Sequence, residues 1–275
     1  MENIINYFET IPSLHRGLIL AGGIALFWLI ESAVPFFKFQ YNKWHHAGIN
    51  IFFTLTTIVI NFALAFILIK TADYVTQSQF GILNWLPSMN IVIYTIVGLL
   101  LMDFFGAYLA HFVEHKVKFL WRFHLIHHTD TYIDTTSGNR HHPGESVIRF
   151  VFTTLGVLVV GAPMWMVFMY QTLSVVATQL THANICLPKK LDKAISYFLV
   201  SPDMHKIHHH YQLPYTDSNY GNIFSVWDRI FGTYLYLNRE DIVYGVDTHM
   251  DPKEHNVLVN LLKIPFQKSR SARTE

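Results

Sequence analysis

Three histidine clusters are the residues of this chain whose type and spacing can do chemistry. They read His111-Phe-Val-Glu-His115, His124-Leu-Ile-His127-His128 and His205-Lys-Ile-His208-His209. Histidines three or four positions apart lie on one face of an α-helix, so each cluster presents its imidazoles in one direction. Imidazole is a ligand for zinc, copper, iron and nickel alike. Eight such ligands exceed the four of one structural zinc site, so the clusters predict a dinuclear metal centre.

The other histidines are less regularly spaced. His142 precedes a proline, and His182 ends an apolar run in the sequence Thr-His-Ala-Asn. Spacing alone leaves both open as ligands, and His141 is an alternative to His142. His210 extends the third cluster and is predicted to be a bystander. The rest are predicted to lie outside the centre, either as interfacial residues (His45 and His46) or as isolated histidines (His15, His249 and His255).

The elements that must position these clusters are long apolar segments. The chain has 275 residues, of which 51% are hydrophobic and 14% charged, whereas a soluble domain carries about 25% charged residues. Apolar runs cover 14–34, 48–69 and 91–110, close to the roughly 20 residues that cross a bilayer. A fourth run, 147–181, is interrupted at Gly161-Ala162-Pro163 and predicts a helical hairpin or a span followed by a second helix. The fold class is therefore an all-α, integral membrane bundle of about four spans.

Charge indicates how this bundle is oriented. The loop 35–47 carries Lys38 and Lys43, the loop 71–89 has no Lys or Arg, and basic residues follow the third span at Lys116, Lys118 and Arg122. The positive-inside rule then predicts that the histidine clusters form a cap on the cytoplasmic side. Residues 1–13 lack a basic region and do not resemble a cleavable signal peptide. Compact loops favour a bacterial inner membrane, with the endoplasmic reticulum as the alternative.

Composition sets further bounds. The formal net charge of +1 gives no indication of a nucleic acid partner. Cys186 is the single cysteine, so an intramolecular disulfide is excluded. No linker or repeat divides the chain, and we expect one domain over 1–275, with a polar, frayed tail from Lys268 to Glu275.

The motifs together resemble the fatty acid hydroxylase / sterol desaturase superfamily. His-x3-His, His-x2-His-His and a late His-x2-His-His stand among apolar spans, as they do in that family. The segment Asn219-Tyr220-Gly221-Asn222, followed by Trp227-Asp228-Arg229-Ile230-Phe231-Gly232-Thr233, is similar to the closing motif of the family. The likeness runs from about residue 95 to 236, which is the expected catalytic core.

The resemblance implies a set of site residues. Its His-Pro motif matches His142, and its His-x-Asn element matches His182, which favours both as metal ligands and makes ten in all. Asp228 and Asn222 are expected to orient ligand rings, with turn stabilisation as the alternative. Independently of the resemblance, Asp103 lies about two turns before His111 in the third apolar run, where an acidic residue is costly; it is expected to accept a proton from a histidine ring, to face the substrate channel or to bond to a neighbouring helix.

The resemblance also implies an activity. Two iron ions would use dioxygen to hydroxylate or desaturate a C–H bond in a fatty acyl, sphingolipid or sterol-like lipid. The chain carries neither a Gly-x-Gly-x-x-Gly motif nor a set of cluster-binding cysteines. The electrons are therefore expected from a separate ferredoxin, b-type cytochrome or flavoprotein reductase.

Two alternatives remain on sequence grounds. His111-Phe-Val-Glu114-His115 also matches the His-x-x-Glu-His pattern of zinc hydrolases, in which Glu114 would be the general base. A non-enzymatic membrane transporter or sensor of metal is the other alternative. Transporters usually place their ligands midway along their spans, whereas these clusters follow the spans.

Overall fold

The computed structural model describes residues 1–270, which form helices joined by turns and short loops. The polar tail predicted to be frayed lies partly outside the described residues, which end at Arg270. Its described end is tied down, because the Arg270 guanidinium donates to the Glu254 carboxylate. The helices are α1 (Glu2–Glu9), α2 (Ser13–Ala33), α3 (Lys43–Ser78), α4 (Ile82–Trp85), α5 (Ile91–Asp103), α6 (Leu109–Lys116), α7 (Lys118–His128), α8 (Pro143–Val160), α9 (Met164–His182), α10 (Lys189–Ile195), α11 (Pro202–His208), α12 (Val226–Ile230), α13 (Pro252–His255) and α14 (Leu258–Lys263).

Four segments within the described residues are long and apolar enough to cross a membrane. They are Ser13–Ala33, Lys43–Trp85, Ile91–Lys116 and Pro143–Val160. The prediction of an all-α membrane bundle is therefore confirmed, and the chain is a multi-pass membrane protein. The second span is longer than the apolar run 48–69 at both ends. It begins at a cap in which the Asn42 side chain accepts the His45 amide, and it continues through α4 to Trp85.

The break at Gly161-Ala162-Pro163 produces a hairpin. Gly161 ends α8 in the left-handed conformation, with φ of 75°, and Pro163 stands immediately before α9. A Cβ on Gly81 would come within 2.4 Å of the Gly161 backbone, so the turns after α3 and after α8 touch. Both helices therefore run away from the histidine clusters. α9 returns to them and ends at His182.

The third span contains a turn that its sequence pattern does not reveal. A π-helical turn, Phe104–Tyr108, joins α5 to α6, and such turns are frequent at functional sites. Asp103 immediately precedes it, and its two oxygens accept the backbone amides of Ile223 and Phe224 at 3.2 Å. Of the three expectations for Asp103, a bond to a neighbouring helix is the nearest to this result, although the partner is a loop rather than a helix.

The described residues form three apolar cores, and two of them include side chains of the histidine helices α7 and α11. Met102, Val157 and Met166 are buried at the centre of the bundle. Phe53 and Ile126 are buried in a smaller core beneath the cap. Because α7 contributes to the smaller core through one face, its opposite face is free to carry histidines inward.

Candidate metal centre

Five of the predicted ligands converge in one group, here called group A. One nitrogen from each ring lies within 4.8 Å of the others, and all five residues are buried. α6, α7 and α11 supply the rings. The members are His111, His115, His124, His128 and His208.

Four more predicted ligands form group B, under the same criterion of distance. They come from α7, from the end of α9, and from α11 and the residue that follows it. The members are His127, His182, His205 and His209. Nine of the ten histidines favoured by the sequence are thus brought together.

The two groups are adjacent because two helices contribute to both. His124 and His128 of α7 face group A, while His127 faces group B. The His128 and His209 rings, from different groups, have centroids 4.7 Å apart. This is the arrangement expected of a three-histidine helical face, in which the third ring reaches a neighbouring ion.

Hydrogen bonds fix the tautomer of several rings. In group A, the Nδ1 atom of His111 donates to the Tyr220 carbonyl at 2.9 Å, and that of His208 donates to the Ser218 carbonyl at 2.6 Å. The Nδ1 atom of His124 donates to Glu145 at 2.7 Å. Each of these rings then carries its proton on Nδ1 and turns an Nε2 lone pair toward the group.

The distances between Nε2 atoms fit bound metal. The Nε2 atoms of His111 and His124 are 3.1 Å apart, although the protons of both rings are engaged at Nδ1. Two lone pairs facing each other at this distance repel unless a cation lies between them. Two nitrogens bound at right angles to one ion, each about 2.1 Å from it, lie about 3 Å apart. In group B, the Nε2 atoms of His182 and His205 are 3.0 Å apart. The donor set therefore suits two transition-metal ions.

Burial keeps these rings in the form that binds metal. Desolvation, followed by the neighbouring histidines, holds the pKa of His124, His127 and His128 well below the usual range. The same causes lower the pKa of His205 and His209. The imidazoles are therefore neutral at physiological pH, as coordination requires.

His142, the tenth predicted ligand, lies outside both groups. Its Nδ1 atom accepts the Gly144 amide at 2.9 Å, which caps α8, and its ring packs between Phe123 and Phe266. His141 is the residue of the pair that approaches the centre, with its ring centroid 5.0 Å from that of His127. The preference for His142 over His141 therefore disagrees with this geometry. The cause is the proline, which makes His142 the helix cap and turns the preceding side chain inward.

Asp228 and Asn222 act at different distances from the rings. The Asp228 carboxylate is buried and accepts the backbone amides of Tyr220 and Gly221, each at 2.8 Å. The Tyr220 carbonyl is the acceptor for His111, so hydrogen bonds link Asp228 to that ring through one peptide unit. Asn222 instead bonds to Thr178 and Ser174 of α9 and touches no ligand ring.

Several carboxylates contact histidine rings in ways that were not predicted from the sequence. Glu145 accepts from His124 and pairs with Arg149, and Asp217 accepts from His115 at 3.2 Å. His46 is buried between Asp130 and Asp134, which corrects its prediction as an interfacial residue. Each carboxylate lies 21 or more positions from the histidine it contacts, which is beyond the reach of a spacing argument. Only the adjacency of Glu145 to the His-Pro motif was a signal.

The zinc hydrolase alternative meets a different environment. The two histidines of the His-x-x-Glu-His pattern belong to a five-histidine group rather than to a site with three protein ligands. The Glu114 carboxylate, the general base of that alternative, is fully buried and pairs with the Arg149 guanidinium at 2.8 Å. Its charge is thus directed to Arg149.

Comparisons with known proteins agree with this geometry. A family model described as fatty acid hydroxylase matches residues 95–233, half of the chain. Ornithine lipid hydroxylase OlsE of Rhizobium tropici is 24% identical over 241 residues, which cover 83% of this chain and 70% of that protein. Human alkylglycerol monooxygenase is 27% identical over 146 residues, 53% of this chain but 31% of that protein. Cholesterol 25-hydroxylase-like protein 1, member 2, of Danio rerio is 26% identical over 150 residues, 54% of this chain and 53% of that protein. No solved structure gives a significant match.

Proposed function

The chain belongs to the fatty acid hydroxylase family, and from this premise we propose that it is a membrane oxidoreductase that uses dioxygen to oxidise a C–H bond of a lipid. The observation that carries the proposal is the pair of adjacent histidine groups with inward-facing Nε2 atoms. The relatives are hydroxylases and monooxygenases by name, which favours hydroxylation over desaturation.

Two iron ions are the proposed cofactor. Nine imidazoles from groups A and B would hold them, and iron is among the metals that such ligands suit. When bound, the ions supply the redox chemistry that couples dioxygen and two external electrons to oxidation of an unactivated C–H bond.

The chain's own residues have three tasks in this reaction. The Nδ1 hydrogen bonds hold the rings so that their lone pairs point inward before metal binds. The buried cap keeps water from the centre. The spans hold an apolar substrate beside it, since a lipid dissolved in the bilayer reaches the site laterally. A separate ferredoxin, b-type cytochrome or flavoprotein reductase would supply the electrons.

Isotopically labelled dioxygen tests this function. Lipids from a host that expresses the chain should gain labelled oxygen, and the gain should disappear when His205 is replaced by alanine. Lipid profiles that are identical with and without the chain, under labelled dioxygen and in a host with a functioning reductase, would refute an oxygenase.

The two neighbouring histidines before α8 give a sharper test of the site. His141→Ala should lower activity several-fold, because its ring lies beside the ligand His127. His142→Asn should leave iron content and activity nearly unchanged, because asparagine also caps a helix. Iron per chain and lipid oxidation are measured for both variants. The opposite ranking would mean that His142 is the ligand.

Orientation in the membrane is a further proposal, with the histidine cap in the cytoplasm and a bacterial inner membrane as the location. After Cys186→Ser removes the native thiol, cysteines are introduced at two exposed positions, Ser78 at the end of α3 and Glu240 in the cap. An impermeant thiol reagent should label position 78 in intact cells and position 240 only after the membrane is opened. Labelling of position 240 alone in intact cells would show that the histidine cap faces outward.

A further inference from the structure

One surface of the cap combines basic and large apolar side chains. The segment 189–199 and α12 lie side by side: the Ser225 amide donates to the Phe198 carbonyl at 3.1 Å, and the Arg229 guanidinium donates to the Ser196 carbonyl at 2.7 Å. We call their joint exposed side the α10–α12 face. Its large apolar side chains, all exposed, are Leu191, Tyr197, Phe198, Leu199, Ile230 and Phe231.

The charges of this face have one sign. Lys189, Lys190, Lys193 and Arg229 are exposed on it. The acidic residue of α10, Asp192, is turned inward and accepts from Ser201 and from the Asp203 amide. A surface that presents cations beside exposed aromatic side chains suits an anionic, amphiphilic partner.

The face is continuous with a membrane span. Phe231 stacks on Phe104, with ring centroids 5.5 Å apart. Asp103, the last residue of α5, accepts the amides of Ile223 and Phe224, and the Ile223 carbonyl accepts the Val200 amide. The backbone of the face is thus tied to the third span at the level of its π-helical turn.

That level lies on the membrane side of the metal centre. Phe104 precedes His111 by seven residues of continuous helix, or about 10 Å. The α10–α12 face is therefore tied to the third span about two helical turns before the first histidine of group A, toward the interior of that span.

We propose that the α10–α12 face is an interfacial anchor that inserts its apolar side chains among lipid headgroups and binds anionic lipid phosphates through its lysines. Phe198, which is 75% exposed, enters the boundary between headgroups and acyl chains. The three lysines of α10 lie along the negatively charged surface. The anchor goes beyond the proposed oxidation, and its test in nanodiscs does not depend on which leaflet the cap faces in the cell.

Depth measurements on a spin label test the anchor. The full chain, with Cys186→Ser, carries a nitroxide on a cysteine at position 198 and is placed in nanodiscs of phosphatidylcholine with or without phosphatidylglycerol. The matched control is a nitroxide at Leu213, an apolar residue that is 62% exposed. Leu213 lies in the loop that precedes Asp217. The Asp217 carboxylate accepts a hydrogen bond from Lys116, the last residue of the third span, so this loop lies at the end of the span away from Phe104. Collisions with dioxygen report apolar surroundings, and collisions with a water-soluble nickel complex report aqueous ones.

The label at position 198 should collide mainly with dioxygen, and the label at position 213 mainly with nickel. Replacing the three lysines of α10 with glutamine should make position 198 shallower in discs with phosphatidylglycerol and leave it unchanged in phosphatidylcholine. The control substitution of Lys253, Lys263 and Lys268 should have no effect.

Two outcomes overturn the proposal. Equal access of the nickel complex to positions 198 and 213 would mean that the face is in water and open to a soluble acidic protein. If the depth of the label at position 198 changes neither with phosphatidylglycerol nor with replacement of the α10 lysines, the face does not bind anionic headgroups. Both readouts are independent of lipid oxidation, so they do not depend on whether the proposed function is correct.

Discussion

Replacing His208 with alanine is expected to abolish lipid oxidation and to remove about one of two bound irons. His208 is buried in group A, and its Nδ1 hydrogen bond to the Ser218 carbonyl directs Nε2 at the other four rings. Alanine leaves an open coordination position in a buried site, and the remaining four imidazoles hold the ion less tightly. Iron per chain and lipid product are measured on the same membrane preparation.

His210→Ala is the matched control, since the residue belongs to the same sequence cluster but lies outside both groups. The Nδ1 atom of His210 accepts the Val243 amide, so its loss should cost some stability while iron content persists. His209→Ala, in group B, should abolish activity as His208→Ala does and remove the other ion. A His208→Ala protein with full activity and full iron would mean that the clusters are not the catalytic centre.

Asp228→Asn is expected to reduce activity or iron affinity about 10- to 100-fold. One Asp228 oxygen accepts the Tyr220 amide and the Thr233 hydroxyl, and the other accepts the Gly221 amide. An asparagine amide nitrogen would have to face one of these donors, so the backbone at Tyr220 shifts. His111 then loses the carbonyl that orients it.

The readout for Asp228→Asn separates positioning from folding. Added ferrous iron should restore part of the activity, since the defect is in ligand orientation. Asn222→Ala is the control, because Asn222 bonds to Thr178 and Ser174 of α9 and to no ligand ring. Asp228→Asn with an unchanged iron dissociation constant would show that Asp228 serves the turn alone.

The repeated spacing of histidines made most of the site predictable. Positions i, i+3 and i+4 share a helical face whatever the tertiary structure, so His124, His127 and His128 could be assigned together. The apolar runs predicted the spans because the length and the composition of a segment suffice to identify a membrane helix. The second and third clusters, which have three histidines each, are divided between the two groups, because the third ring of each points to a neighbouring position.

The predictions that did not match the structure concern features that histidine spacing and apolar periodicity do not encode. His141 and His142 are adjacent, and which of them faces the centre depends on the cap of α8 rather than on spacing. His46 was predicted to be interfacial because it lies in a polar loop sequence, but its ring is buried and contacts the carboxylates of Asp130 and Asp134. The π-helical turn at Phe104–Tyr108 leaves the apolar pattern of the span intact, so no periodicity revealed it.

Nine buried imidazoles are proposed to hold two irons, and metal analysis of the purified chain tests this proposal most directly. Protein purified in detergent without metal-chelating resin should contain about two irons per chain, as two adjacent histidine groups require. Mössbauer spectra of the same sample should show that the two irons are coupled. One zinc per chain, found repeatedly and without iron in active preparations, would contradict the account.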